Sequence, residues 1–109
     1  VGKQLESMRK ISPETLHKLF QKPQKCQVCG ATERKLDYHH NLIYQGRQVD
    51  SPNTILIACR KCHDKANEIE MREKMDRIML NQMTEDELER YSKVENLQAK
   101  KQYLNEKIQ

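Results

Sequence analysis

Apolar and polar positions change period several times along the chain, and each change marks an element. Ser12-Pro13-Glu14 combines a capping hydroxyl, a proline suited to the first helical position and an acid that complements the helix dipole. Leu16, Leu19 and Phe20 then supply one apolar face, and Lys22-Pro23 ends that helix. Lys35 to Asn41 reads as a short strand, and Gln45-Gly46-Arg47 through Ser51-Pro52 as loop with turn residues at both ends. Ile55-Leu56-Ile57-Ala58 is β-branched and apolar, the strongest strand signal present. A helix is expected from near Cys62 to about Gln82. Thr84-Glu85-Asp86-Glu87 matches a capping box, so a last helix is expected from there toward Ile108. Met71, Met75, Met79 and Met83 recur every four residues, a helical stripe that suits packing within the chain. The same stripe also suits a contact between two chains. Leu88, Tyr91, Val94, Leu97, Leu104 and Ile108 form a thin apolar seam fit for helix pairing.

This pattern predicts an α+β chain. With 109 residues, 36% hydrophobic positions and no Trp, it is one small domain that cannot build a large core. Three segments are expected: an N-terminal helical segment (1–23), a compact module (24–67) and a helical extension (68–109). The net charge of +4 is unevenly spread. Residues 1–67 hold 12 Lys/Arg against 6 Asp/Glu, and residues 68–109 hold 8 against 10. A basic module followed by a slightly acidic extension points to a polyanionic partner. No stretch is apolar enough for a signal segment or a membrane span, which points away from membranes and to a cytoplasmic setting.

All four cysteines fall in two pairs, Cys26-Gln-Val-Cys29 and Cys59-Arg-Lys-Cys62. Two such pairs can place four thiolates around one structural zinc ion, and so small a module benefits from a metal staple. The same thiols could form two disulfides in a secreted chain, but the two-residue gap favours metal. A plain zinc ribbon leaves about 15–20 residues between its pairs. Here the interval is 29 residues, and it carries Asp37-Tyr38-His39-His40, with His63 directly after the second pair. The remaining histidine, His17, sits among exposed polar positions and reads as surface.

Tyr38-His39-His40, a loop with Gly46, Ser51-Pro52-Asn53-Thr54, the strand Ile55 to Ala58, and Cys59-Arg60-Lys61-Cys62-His63-Asp64-Lys65 together resemble the HNH endonuclease family. Within it they are most similar to a cysteine-bearing branch that includes endonucleases of the phage endonuclease VII type. The resemblance spans residues 24–67. It implies a zinc-braced ββα-metal finger flanked by the N-terminal helix and the helical extension. It also implies a metal-dependent DNA endonuclease in which His40 is the general base. His39 and His63 would be ligands of a catalytic divalent metal, with Asn67, one turn beyond His63, as a further ligand. Two imidazoles would accept Mn²⁺, Ni²⁺, Co²⁺ or Zn²⁺ more readily than a carboxylate-rich Mg²⁺ site does. One departure stands out: the family's middle Asn falls at Thr54, and Asn53 lies one place early. Thr54 or Asn53 would have to brace the loop.

Adjacent residues of a strand face opposite ways, so His39 and His40 can share a site only near an irregular strand end. Arg47, Arg60, Lys61 and Lys65 flank the site in loop and knuckle and are the candidate DNA phosphate contacts, while Tyr38 and Tyr44 read as packing residues. Three functional readings fit these residues. The first is an HNH endonuclease, paired as a homodimer through 68–109. The second is a non-catalytic zinc-knuckle DNA-binding or recombination accessory module. The third is a zinc-braced protein-interaction adaptor using the Met stripe.

Overall fold

The computed structural model describes residues 11–32 and 35–107. Helix α1 (Pro13–Phe20) begins where expected: the Ser12 hydroxyl accepts from the Thr15 backbone N–H at 3.3 Å. The Ser12 N–H in turn donates to Asp50, which ties the helix start to the loop before β4. Strand β1 (Leu36–His40) follows, then a two-residue hairpin of β2 (Ile43–Tyr44) and β3 (Arg47–Gln48). Strand β4 (Ile55–Cys59) leads into four helices: α2 (Arg60–Asp64), α3 (Ile69–Gln82), α4 (Glu85–Arg90) and α5 (Leu97–Lys107). The hairpin was expected to be loop. It closes because Gln45 and Gly46 both adopt positive φ, 52° and 77°, as a tight two-residue turn requires.

Strands β1 and β4 pair antiparallel, with Asp37 opposite Ala58, His39 opposite Leu56 and His40 opposite Ile55. All five residues of β4 are buried although it has only one strand partner. One face, Leu56 and Ala58, packs into the main core with Met75, Met79, Leu80, Leu88, Leu97 and Leu104. On the other face, Ile55 packs with Ile11 and Leu19, while Tyr38 lies against them and stacks at a tilt on Phe20. Burial on both faces is why this strand reads as a continuous apolar run rather than an alternating one. Its open edge is capped by the first knuckle. The Gln27 N–H donates to the Ile57 carbonyl, and the Gln27 side-chain oxygen accepts from the Ile57 N–H, each at 2.8 Å. A strand edge that would otherwise invite pairing with another chain is thereby used up.

Two expected helices are broken. The helix from Cys62 toward Gln82 stops at Asp64, turns through residues 65–68, and restarts at Ile69. Cys62 must face the other three sulfurs whereas Met75, Met79 and Leu80 must face β4, and the turn lets each helix aim separately. The expected last helix stops at Arg90 and restarts at Leu97. The capping box at its start is present, with Thr84 and Glu87 bonded reciprocally. Ser92 ends α4 by donating to the Leu88 carbonyl, and Asn96 starts α5 by accepting from the Ala99 N–H. The break folds α5 back against α3, where Arg77 and Asn81 bond Asn105.

Met75, Met79 and Met83 are buried in the main core, and Met71 packs against it. The Met stripe is thus interior to one chain, the first of the two packings its period suits. Of the seam, Leu88, Leu97 and Leu104 are buried, Val94 is exposed, and Ile108 lies outside the described residues. Among the described residues, no helix is long and apolar enough to cross a membrane.

Candidate metal centre and histidine cleft

Each knuckle delivers its sulfurs by a tight local turn. Gly30 closes the first with φ 78°, and its N–H donates to the Cys26 carbonyl. The second runs off the end of β4, so Cys59 precedes α2 and Cys62 lies within it. The four sulfurs of Cys26, Cys29, Cys59 and Cys62 lie within 4.8 Å of one another, and those of Cys29 and Cys59 are 3.7 Å apart. Sulfurs bound tetrahedrally to one zinc stand about 3.8 Å apart, whereas a disulfide needs about 2.05 Å. The cysteines are free thiols, and they could hold one zinc ion. Burial works to raise the Cys26 pKa, but backbone N–H groups of Cys59, Cys29 and Val28 outweigh it and hold the thiol down to about 6. Burial and the surrounding sulfurs push Cys62 strongly up. Four sulfurs so close cannot all ionise without a cation among them, which is the donor chemistry a bound metal satisfies.

Asp37 and His39 project from the same face of β1, toward α2. The buried Asp37 carboxylate lies 3.0 Å from His63 Nδ1 and 3.4 Å from Arg60 Nε. The rings of His39 and His63 are 4.9 Å apart. A carboxylate bonded to Nδ1 fixes the ring and leaves Nε2 as the free nitrogen, the usual support of a metal-ligating histidine. Burial first, and then the charge of neighbouring His63, hold the His39 pKa down to about 4 against the effect of its Asn41 hydrogen bond. At neutral pH His39 is therefore uncharged.

His40 is the last residue of β1, and it borders the same cleft as His39. His40 keeps the regular register opposite Ile55, so the expected irregularity of the strand end is not seen at this residue. The cleft, of about 350 Å³, lies between the strand end and helices α3 and α5. Asn67 also borders it, but from the turn after α2 and not one helical turn beyond His63 as expected. Among the described residues, only the four cysteines form a group of three or more His, Cys, Asp or Glu able to share one ion.

Thr54 is fully buried, and its hydroxyl reaches the carbonyls of Val49 and Ser51, each at 3.2 Å. Its own carbonyl accepts from the Asn41 N–H, fixing the chain just beyond His40. Asn53 instead donates to Glu87 at 2.8 Å and so joins the loop to α4. Of the candidate phosphate contacts, Lys61 and Lys65 are exposed around α2, and Arg60 is engaged with Asp37. Arg47 is exposed on the hairpin, beside a separate hollow shared with Tyr44 and Tyr91.

Several residues without an assigned role complete the cleft. Asn41 donates to Asp76 at 2.9 Å, and Asp76 pairs with Lys100 at 3.1 Å. Asp37 had a usable signal, a carboxylate two positions before His39 on one strand face. Asp76, Lys100 and Arg72 had none, since only the tertiary fold brings α3 and α5 to the histidines. Comparison of the chain with family models, with curated proteins and with solved structures finds no match.

Proposed function

We propose that the protein is a metal-dependent endonuclease of the HNH type that hydrolyses DNA phosphodiester bonds. The observation that carries this reading is the His39–His63 pair, 4.9 Å between rings, with Asp37 bonded to His63 Nδ1 and with His39 sharing a cleft with His40. His39 and His63 are the residues that would hold a catalytic divalent ion, with further positions open to water and phosphate. Such an ion, when bound, supplies positive charge to the phosphorane and the departing 3′ oxygen. Asp37 keeps the His63 ring oriented, and Thr54 holds the loop that follows the strand end. His40, as a neutral imidazole, accepts the proton of the attacking water. The products would carry 3′-hydroxyl and 5′-phosphate ends.

A second reading is a zinc-knuckle module that binds DNA without cutting it. It is favoured by the four cysteines being the only described group with three or more clustered ligands. One experiment separates the two: zinc-loaded protein is incubated with plasmid and branched DNA in Mg²⁺, Mn²⁺ or Ni²⁺. Nicking that is lost in His40→Ala while DNA binding persists supports the endonuclease. Binding with no cleavage under any metal supports the second reading and ends the first.

A further inference from the structure

Three cations stand near the histidines, and their pairing differs. Arg60 lies 3.4 Å from Asp37 and 4.0 Å from Asp64. Lys100 lies 3.1 Å from Asp76 and 3.6 Å from Glu95, the two acids that border the cleft. Arg72, exposed near the start of α3, also borders the cleft, and it forms no ion pair among the described residues. Its charge reaches His39, adding to the effects that keep that ring neutral. Two acids and two cations border the cleft, and both acids lie against Lys100, so Arg72 is the cleft cation outside any ion pair among the described residues.

We infer that Arg72 is a DNA-backbone contact of this cleft, its guanidinium gripping a phosphate beside His39 and His40. The inference rests on the nuclease reading for its setting but is tested by binding alone. A guanidinium presents a planar fork of donors that matches two phosphate oxygens, and being weakly hydrated it gives up water at little cost. The contact comes from the helical segment 68–109, whose acidic balance otherwise disfavours DNA. That segment would therefore approach the nucleic acid at this one point rather than along its length.

The test uses full-length, zinc-loaded protein, a fluorescent DNA duplex and no other divalent metal, with affinity followed by anisotropy across a salt series. Arg72→Ala should weaken binding by about tenfold and reduce the slope of log K against log salt by about one unit. Arg72→Lys should restore the slope but not the full affinity. Arg90→Ala, which removes the same charge from α4 outside the cleft, controls for net charge. Affinity and slope in Arg72→Ala equal to those of Arg90→Ala would overturn the inference. Cleavage in Mn²⁺, run in parallel, tells the two ideas apart. Cutting by wild type with no effect of Arg72→Ala on binding sinks only the Arg72 contact. An Arg72 effect on binding with no cutting by wild type sinks only the nuclease.

Discussion

Replacing Thr54 by valine tests whether a threonine performs the bracing that the HNH pattern gives to asparagine. The two side chains have nearly the same shape, and Thr54 is fully buried, so the change removes a hydroxyl without opening a cavity. Two acceptors lose that donor, but unequally. The Ser51 carbonyl keeps the N–H groups of Thr54 and Ile55, both at 3.1 Å. The Val49 carbonyl, 3.2 Å from the hydroxyl, loses it outright. Losing the bond and leaving a buried carbonyl short of a donor costs about 2–3 kcal/mol. A methyl buried in place of a hydroxyl returns about 0.8 kcal/mol. The net loss is therefore about 1–2 kcal/mol, or a fall in Tm on the order of 10 °C for a domain of this size. Urea unfolding of both proteins at one fixed zinc concentration measures it, and the m-value should not change. Zinc stoichiometry should also hold, because the Asn41 N–H to Thr54 carbonyl bond belongs to the backbone. A Thr54→Val protein within a few tenths of a kcal/mol of wild type would refute the brace.

Removing zinc with a chelator, or Cys62→Ser, should abolish the folded signal in circular dichroism, since metal binding of this kind is worth about 10 kcal/mol, comparable with the whole stability of a small domain. Folded protein with no metal would refute the staple. Met79→Glu should unfold the chain, because a carboxylate forced into the main core costs about 3 kcal/mol or more. Folded monomers in sedimentation would instead mean that the stripe is an association surface. Asp37→Asn should weaken divalent-metal binding at the histidines by about 10–100-fold, read by calorimetry on zinc-loaded protein, with unchanged affinity counting against the orienting role. Glu87 carries a pH dependence of defined sign. Burial tends to raise its pKa, but hydrogen bonds from the Thr84 backbone, Asn53, Ser51 and the Thr84 side chain outweigh this and hold it below the usual glutamate value. Its contribution is present above the unfolded pKa and is lost as pH falls through the lower folded one. Glu87→Gln should therefore cost about 1 kcal/mol at pH 7, and the difference from wild type should close in acid.

Features encoded by a few adjacent residues were legible in the sequence. Ser12 and Thr84 announced helix starts, Ile55 to Ala58 announced the central strand, and the cysteine spacing announced the four-sulfur cluster. The caps depend on bonds between groups at most four residues apart, and the strand on one apolar run. The sulfur cluster joins two pairs far apart in sequence, whose two-residue gaps announce it locally. The breaks at residues 65–68 and 91–96 were not legible, although Ser92 and Asn96 are good capping residues. A capping residue becomes a cap only when tertiary packing makes folding back worth more than continuing, and here that gain is the burial of Leu97 and Leu104 against α3. The Met stripe shows the same limit from the other side. Its period reveals a buried face, but not whether the cover comes from the same chain. Gln27 and Gln82 gave no signal at all, yet their side chains bond each other at 2.7 Å, and Gln27 seals the edge of β4.

The cysteine cluster and the histidines are mechanically one unit, and this constrains what either can do alone. Cys59, Arg60, Cys62 and His63 fall within a single short helix and the residue before it. A helix of five residues has almost no stability of its own, so its orientation must be imposed by what holds it. Two holds are present: sulfurs at Cys59 and Cys62 on one side, and the Asp37 carboxylate bonded to His63 and Arg60 on the other. If the sulfurs were released, Asp37 would be left to position the helix through one hydrogen bond and one half-exposed ion pair, worth about 1–3 kcal/mol together. That is too little to fix the His63 ring against His39. Whatever the histidines do therefore depends on the four sulfurs being held together, as an ion among them would hold them. The opposite dependence is weak, since changing His39 or His63 leaves all four sulfurs in place. Release of the sulfurs should disorder both clusters, and loss of a histidine only one.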